Sequence, residues 1–181
     1  MAAEAALPGG GEMRVPMSIK RIMQHLFSGN ASVRHVFPHS TLEAIERAIR
    51  EIETQCDGQI RFSVEAALDL APLLAGQSAR ERAVEVFSHL RIWDTEHNNG
   101  VLIYLLLADR DVEIVADRGV HAKVGKEVWE SICLEMEAAF REGKFEEGAL
   151  TGIRSIGRHL VHHYPCAGEK VNELPDNPVL M

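Results

Sequence analysis

Five oxygen-bearing side chains stand close together in the middle of the chain: Asp94, Glu96, Asn98 and Asn99, with Asp117 one hairpin further on. Carboxylate and amide oxygens are hard donors. Calcium takes about six to eight of them, and backbone carbonyls can complete the set. Asp94, Asn98, Asn99 and Asp117 are therefore the expected metal ligands, for calcium or another divalent cation. Few carboxylates imply modest affinity, with a dissociation constant on the order of 0.1 to 1 mM. The plainer alternative is a solvated turn in which Asn98 and Asn99 bond local backbone.

Histidines offer a second chemistry. His159 and His163 are four apart on an expected helix, the spacing of a zinc pair, with His162 beside them. No third ligand is assignable, and exposed histidines near a helix C-terminus are the better explanation. His97 and His121 flank the two acidic loops and could donate protons near neutrality. A phosphatase would need a nucleophile or a metal-held water, plus cations for the phosphoryl oxygens. Asp94 and Asp117 with a bound water would supply the first. Arg91, Arg110 and Arg118 are the available cations, Arg118 the best placed. No catalytic residue can be named beyond that. Cys56, Cys133 and Cys166 are an odd set at wide spacing, which implies neither a zinc site nor a disulfide framework.

These residues need elements to hold them. Residues 100–107 form an uncharged run that suits a strand buried on both faces, with Val101, Ile103, Leu105 and Leu107 on one side and Leu102, Tyr104 and Leu106 on the other. Residues 111–117 alternate as its hairpin partner. Residues 59–64 read as an earlier strand, and a helix over 78–90, opened by a Ser78/Glu81 capping box, crosses over to place the two strands in parallel. Ser40 and Glu43 suggest another capping box, ahead of a helix using Leu42, Ile45, Ile49 and Ile52. Residues 118–121 read as a turn, and residues 125–141 and 145–163 as the closing helices. Residues 1–34 read as an N-terminal extension, flexible over 1–16. Within it a short helix over 18–28 would dock through Ile19, Ile22, Met23, Leu26 and Phe27. Its Lys20 and Arg21 supply little membrane attraction. The domain is expected over 35–164, followed by a loose tail over 165–181. The fold class is α/β: a three-layer αβα sandwich, Rossmann-like, with a mixed sheet of three to four strands between helices.

Composition narrows the partners. A formal charge of −8 and a pI near 5.6 argue against nucleic acid and against an anionic membrane surface. No run approaches the roughly 20 apolar residues that span a bilayer, so an integral membrane protein is not expected. No basic-then-apolar leader is visible, and the cysteines suit a reducing compartment. The expected location is cytoplasmic, with any membrane association made through a protein partner.

The motif D-x-x-x-N-N-G-V-L-I-Y-L at 94–105, then D-R-x-V-E-I-x-x-x-x-G at 109–119 and A-F-R-E-G-K-F-E-E-G at 139–148, resembles the TPM domain family over about residues 35–164. The resemblance implies a Rossmann-like αβα sandwich. It also implies calcium in loops at one end of the sheet, as in some members, and either an accessory role in membrane-protein assembly or repair or an acid phosphatase activity on phosphate monoesters. Many members carry a leader and a membrane helix or Gly-rich tail, features not seen in this sequence. The first reading expected is a non-catalytic or weakly catalytic accessory module; the alternative is a metal-assisted phosphatase.

Overall fold

The computed structural model describes residues 18–166, 168 and 172–181. In chain order these form α1 (Ile19–Phe27), α2 (Asn30–Val36), α3 (His39–Glu53), β1 (Gln59–Glu65), α4 (Leu70–Leu74), α5 (Ala79–His89), β2 (Gly100–Leu106), β3 (Asp111–Ala116), α6 (Arg118–Val124), α7 (Lys126–Arg141), α8 (Phe145–His163) and β4 (Val179–Leu180). The sheet order is β3-β2-β1-β4. β1 and β2 are parallel, from Gln59 opposite Gly100 to Glu65 opposite Leu106, while β2 and β3 form the antiparallel hairpin. Helices cover both faces, giving the expected three-layer αβα sandwich.

β2 is buried along its whole length because it has a core on each side. Val101, Ile103, Leu105 and Leu107 join one core with residues of α3, α7 and α8, among them Ile49, Trp129, Phe140 and Ile153. Leu102, Tyr104 and Leu106 join the other, with Ala83, Val86 and Phe87 of α5. This is the alternation the uncharged run dictates once both faces are covered. Ser78 and Glu81 form the capping box of α5 as expected: Ser78 Oγ accepts from the Glu81 N–H and the Glu81 carboxylate accepts from the Ser78 N–H. The helices α7 and α8 fall where the apolar spacing puts them.

Several local expectations are corrected. The Ser40 capping box does not form: α3 begins at His39 behind Pro38, without a side-chain cap. Proline already holds the backbone angle a helix start needs. Asn30–Val36, which begins inside the expected N-terminal extension, forms α2, and Val33 and Phe37 reach the core at 1% exposure each. Residues 118–121 belong to helix α6 rather than a turn. α1 is turned differently: of the expected docking residues Ile22 packs on the second core, while Arg21 and His25 are buried and Ile19, Met23, Leu26 and Phe27 face outward.

The expected loose tail is largely tied down. Val179 and Leu180 pair in parallel with Ser63 and Val64. The Met181 N–H donates to the Val64 carbonyl, and the Ala66 N–H to that of Met181. Gln59 Oε1 accepts from the N–H groups of Glu173 and Leu174, and Arg61 donates to the Asn177 carbonyl. Thus the C-terminal segment gives the buried Gln59 oxygen and the Arg61 guanidinium on β1 hydrogen-bond partners. Residues 1–16, expected to be flexible, lie outside the described residues.

Candidate functional site

Asn98 and Asp117 sit at the same end of the sheet because β2 and β3 are antiparallel: the loop entering β2 meets the exit of β3. The Asp117 N–H donates to the Gly100 carbonyl at 2.9 Å, closing the end of the hairpin ladder. Asp117 then caps α6, its Oδ1 accepting from the Arg118 N–H at 2.8 Å. A carboxylate there suits the partial positive charge of a helix start.

The loop before β2 is built by its own polar groups. Asn98 takes a left-handed backbone (φ 50°), which asparagine tolerates better than most residues. The Asn99 N–H donates to Thr95 Oγ1 at 3.1 Å, and Asn99 Nδ2 donates to the Asp57 carbonyl at 2.7 Å. Asn99 is fully buried.

Two buried oxygens here lack a partner: Asn99 Oδ1 and Asp117 Oδ2. Buried polar atoms are normally bonded, so such orphans call for an explanation. Burial also raises the Asp117 carboxyl above its usual range, while the Arg118 N–H and charge pull it back. The loops are in close contact. A Cβ on Gly119 would lie 2.6 Å from the Asn98 carbonyl oxygen and 2.9 Å from the Tyr164 hydroxyl, with the His97 carbonyl at 3.5 Å. Burial and then Asp117 push the Tyr164 hydroxyl upward. Lys123 of α6 lies 3.8 Å over the Tyr164 ring and donates to the His163 carbonyl, strapping α6 to the end of α8.

The donor set fits a weakly held, oxygen-seeking cation. One carboxylate, one amide oxygen and the carbonyls of His97 and Asn98 belong to these adjoining loops, all hard ligands. The structure thus gathers three expected ligands, Asn98, Asn99 and Asp117, at one end of the sheet. Asp94 is exposed in the turn after α5, its N–H donating to the Arg91 carbonyl. Glu96 is exposed too, and its N–H donates to the Glu173 carboxylate. Among the described residues no three His, Cys, Asp or Glu side chains converge as a metal cluster.

The other candidates scatter. Arg110 lies in the far turn of the hairpin, away from Asp117, while Arg118 and His121 are exposed beside it on α6. His159 packs edge-on against Trp129; burial, then His163, Arg158 and His162, lower its pKa. The rings of His162 and His163 are 4.6 Å apart. Burial pushes the Cys133 thiol up to about 12, so it is not a reactive thiolate at neutral pH. Tyr164 is the site residue that sequence spacing misses, and the close approach of Gly119 to Asn98 and Tyr164 is likewise invisible to it. Both act through contacts between distant segments, which carry no local signal.

The helices on both faces of a mixed four-stranded sheet make this a small αβα sandwich domain. The chain belongs to the TPM domain family, whose model matches residues 33–159. It is similar in structure to the BA42 protein of the psychrophilic bacterium Bizionia argentinensis. That likeness has 28% identity, a TM-score of 0.69, and covers 78% of this chain and 93% of the other. It also shares its fold with the N-terminal domain of a P. gingivalis protein, at 15% identity and a TM-score of 0.58, covering 78% and 95% of the two chains. No curated protein matches this sequence. Among the described residues no helix is long and apolar enough to cross a membrane.

Proposed function

We propose that the chain is a non-catalytic accessory module whose Asp117 loop takes a divalent cation, calcium foremost, with low affinity. The observation that carries this is the pair of orphaned buried oxygens, Asp117 Oδ2 and Asn99 Oδ1, in adjoining loops. A bound cation would give both a partner and offset the cost of burying the Asp117 charge. The loops hold one well-placed carboxylate beside exposed Arg118 and His121, a set suited to binding rather than to activating a nucleophile. Cations bound at such a loop would stiffen the junction of α6, α8 and β2. The module is proposed to act in the cytoplasm, reaching membrane proteins through a protein partner. Its negative charge and free cysteines support that placement.

The second reading is a metal-assisted phosphatase on phosphate monoesters, favoured by the Arg118 guanidinium next to Asp117. Hydrolysis of para-nitrophenyl phosphate across acid to neutral pH, with and without calcium or magnesium, separates the two. The accessory reading expects no turnover above the buffer rate while calcium still raises the melting temperature. Metal-dependent turnover lost in Asp117→Ala would establish the phosphatase instead.

A further inference from the structure

Helix α1 is attached by its polar side. Arg21 grips the Asp109 carboxylate through Nε and Nη2 at 2.9 to 3.2 Å and donates to the Gln77 carbonyl at 2.9 Å. His25 Nδ1 accepts from the Leu68 N–H at 3.0 Å, which leaves the ring proton on Nε2, 3.0 Å from Asp109 Oδ1. With its polar side so engaged, α1 leaves Ile19 82%, Met23 45%, Leu26 61% and Phe27 78% exposed. Burial of apolar area would drive the opposite orientation.

Met23 and Phe27 form one wall of a groove of about 740 Å³ between α1, α2 and the hairpin end, with Val36 and Phe145 on its other side. Lys20 and Arg110 stand on its rim. The one carboxylate there, Asp109, is occupied by Arg21 and His25. Among the described residues neither Lys20 nor Arg110 pairs with a carboxylate. Gln24, Ser28 and Ser32 also line it, so the groove is mainly apolar within, with some polar surface, and carries two cations at the edge, on a chain whose formal charge is −8.

We propose that this groove docks an amphipathic helix of a partner protein, one whose apolar stripe is flanked by Asp or Glu. A helix laid in a groove reads apolar anchors at i, i+3, i+4 and i+7. Acidic flanks would meet Lys20 and Arg110 and favour this partner over basic helices. A bilayer fits less well: the surface is concave, and Arg21, the second cation of α1, is turned inward. A second copy fits less well too, since a two-fold contact would oppose two cationic rims. The groove lies at the other end of β2 from Asp117. The inference goes beyond the accessory-module reading, and each can fail without the other.

The test is fluorescence anisotropy of the full chain against a labelled synthetic helix with Leu at heptad spacing and Glu beside the stripe. Scrambled and Lys-flanked helices serve as controls. Binding of the Glu-flanked helix alone is expected. Phe27→Asp should weaken it about tenfold or more, as loss of an aromatic anchor does, with an unchanged melting temperature because Phe27 is exposed. The double variant Lys20→Glu, Arg110→Glu should instead prefer the Lys-flanked helix. The proposal is overturned by no binding, or by equal binding of all three peptides. Binding only after removal of residues 1–16 would mean that the chain's own start fills the groove, and would overturn the proposal too. Flotation with phosphatidylserine vesicles lost in Phe27→Asp would assign the face to a membrane, and a dimer lost in Phe27→Asp would assign it to a second copy. Either would overturn the proposal.

Discussion

Replacing Glu113 by Gln should make the protein more stable at pH 8. Glu113 stands on β3, its carboxyl pushed up to about 7 by burial, with Asp111 and Glu137 adding repulsion and Arg80 partly offsetting it. Its ion pair with Arg80 is long, Nη1 to Oε2 at 3.4 Å, and Arg80 makes its better bond to the Ile114 carbonyl at 2.7 Å. In the unfolded chain Glu113 would titrate near 4.5. The folded form therefore holds its proton more tightly. The stability this contributes is fully present below about pH 4.5 and is lost as pH rises through about 7. At about 1.4 kcal/mol per pH unit, that rise sets a ceiling of about 3 kcal/mol. With 25% of the side chain still in water, about 2 kcal/mol is a sounder figure. Urea melts of the two proteins at pH 5 and pH 8 read the difference. Glu113→Gln should lose about 2 kcal/mol less than the parent between these pH values. It should keep a residual slope from Asp111, whose carboxyl burial raises to about 6. An equal or steeper loss in the variant would refute the reasoning and show that Arg80 holds Glu113 as a favourable ion.

Other substitutions probe the packing. Leu105→Ala empties a fully buried position at the centre of the first core and should cost about 2 to 5 kcal/mol in urea melts; a loss near zero would deny β2 its central place. Removing residues 172–181, or changing Leu174 to Ala, should lower the unfolding free energy in the same melts, the point change by about 2 kcal/mol or more, since Leu174 is 8% exposed in the second core. Truncation without effect would mean that the pairing of β4 with β1 adds nothing. Arg82→Met strips the bidentate partner from Glu65, which also accepts from the Tyr104 hydroxyl at 2.7 Å. A cost of about 3 kcal/mol is expected from the buried carboxylate left behind, measured in the same melts and relieved in the double variant with Glu65→Gln.

The strands and long helices were legible because their patterns are local. The uncharged run at 100–107 has one interpretation once helices flank it, and α7 and α8 repeat apolar residues with the helical period. What escaped was set by contacts between distant segments. The tail shows no strand pattern over 165–181. Residues 172–181 are held by β1 instead: Gln59 Oε1 accepts from the Glu173 and Leu174 N–H groups, and Arg61 donates to the Asn177 carbonyl. The orientation of α1 was misjudged for the same reason: its apolar stripe is plain in sequence, but Asp109 reaches Arg21 and His25 from far along the chain. At the candidate site, side-chain chemistry and hairpin geometry point to Asn98, Asn99 and Asp117, and the structure puts these residues in adjoining loops, Asn98 through its backbone carbonyl. Asp94 looked equivalent by composition and lies outside that group. Tyr164 carries no motif and enters only because α8 ends beside α6.

Calcium titration of the full chain, followed by backbone amide NMR, tests the central claim most directly. Saturable shifts confined to residues 94–99 and 117–121, with Tyr164 responding, are expected at a dissociation constant on the order of 0.1 to 1 mM. Asp117→Ala should abolish them, and Asp117→Asn, which keeps a capping oxygen for α6, should weaken them. No shift at about 10 mM calcium, well above that range, or the same shifts in Asp117→Ala, would contradict the account.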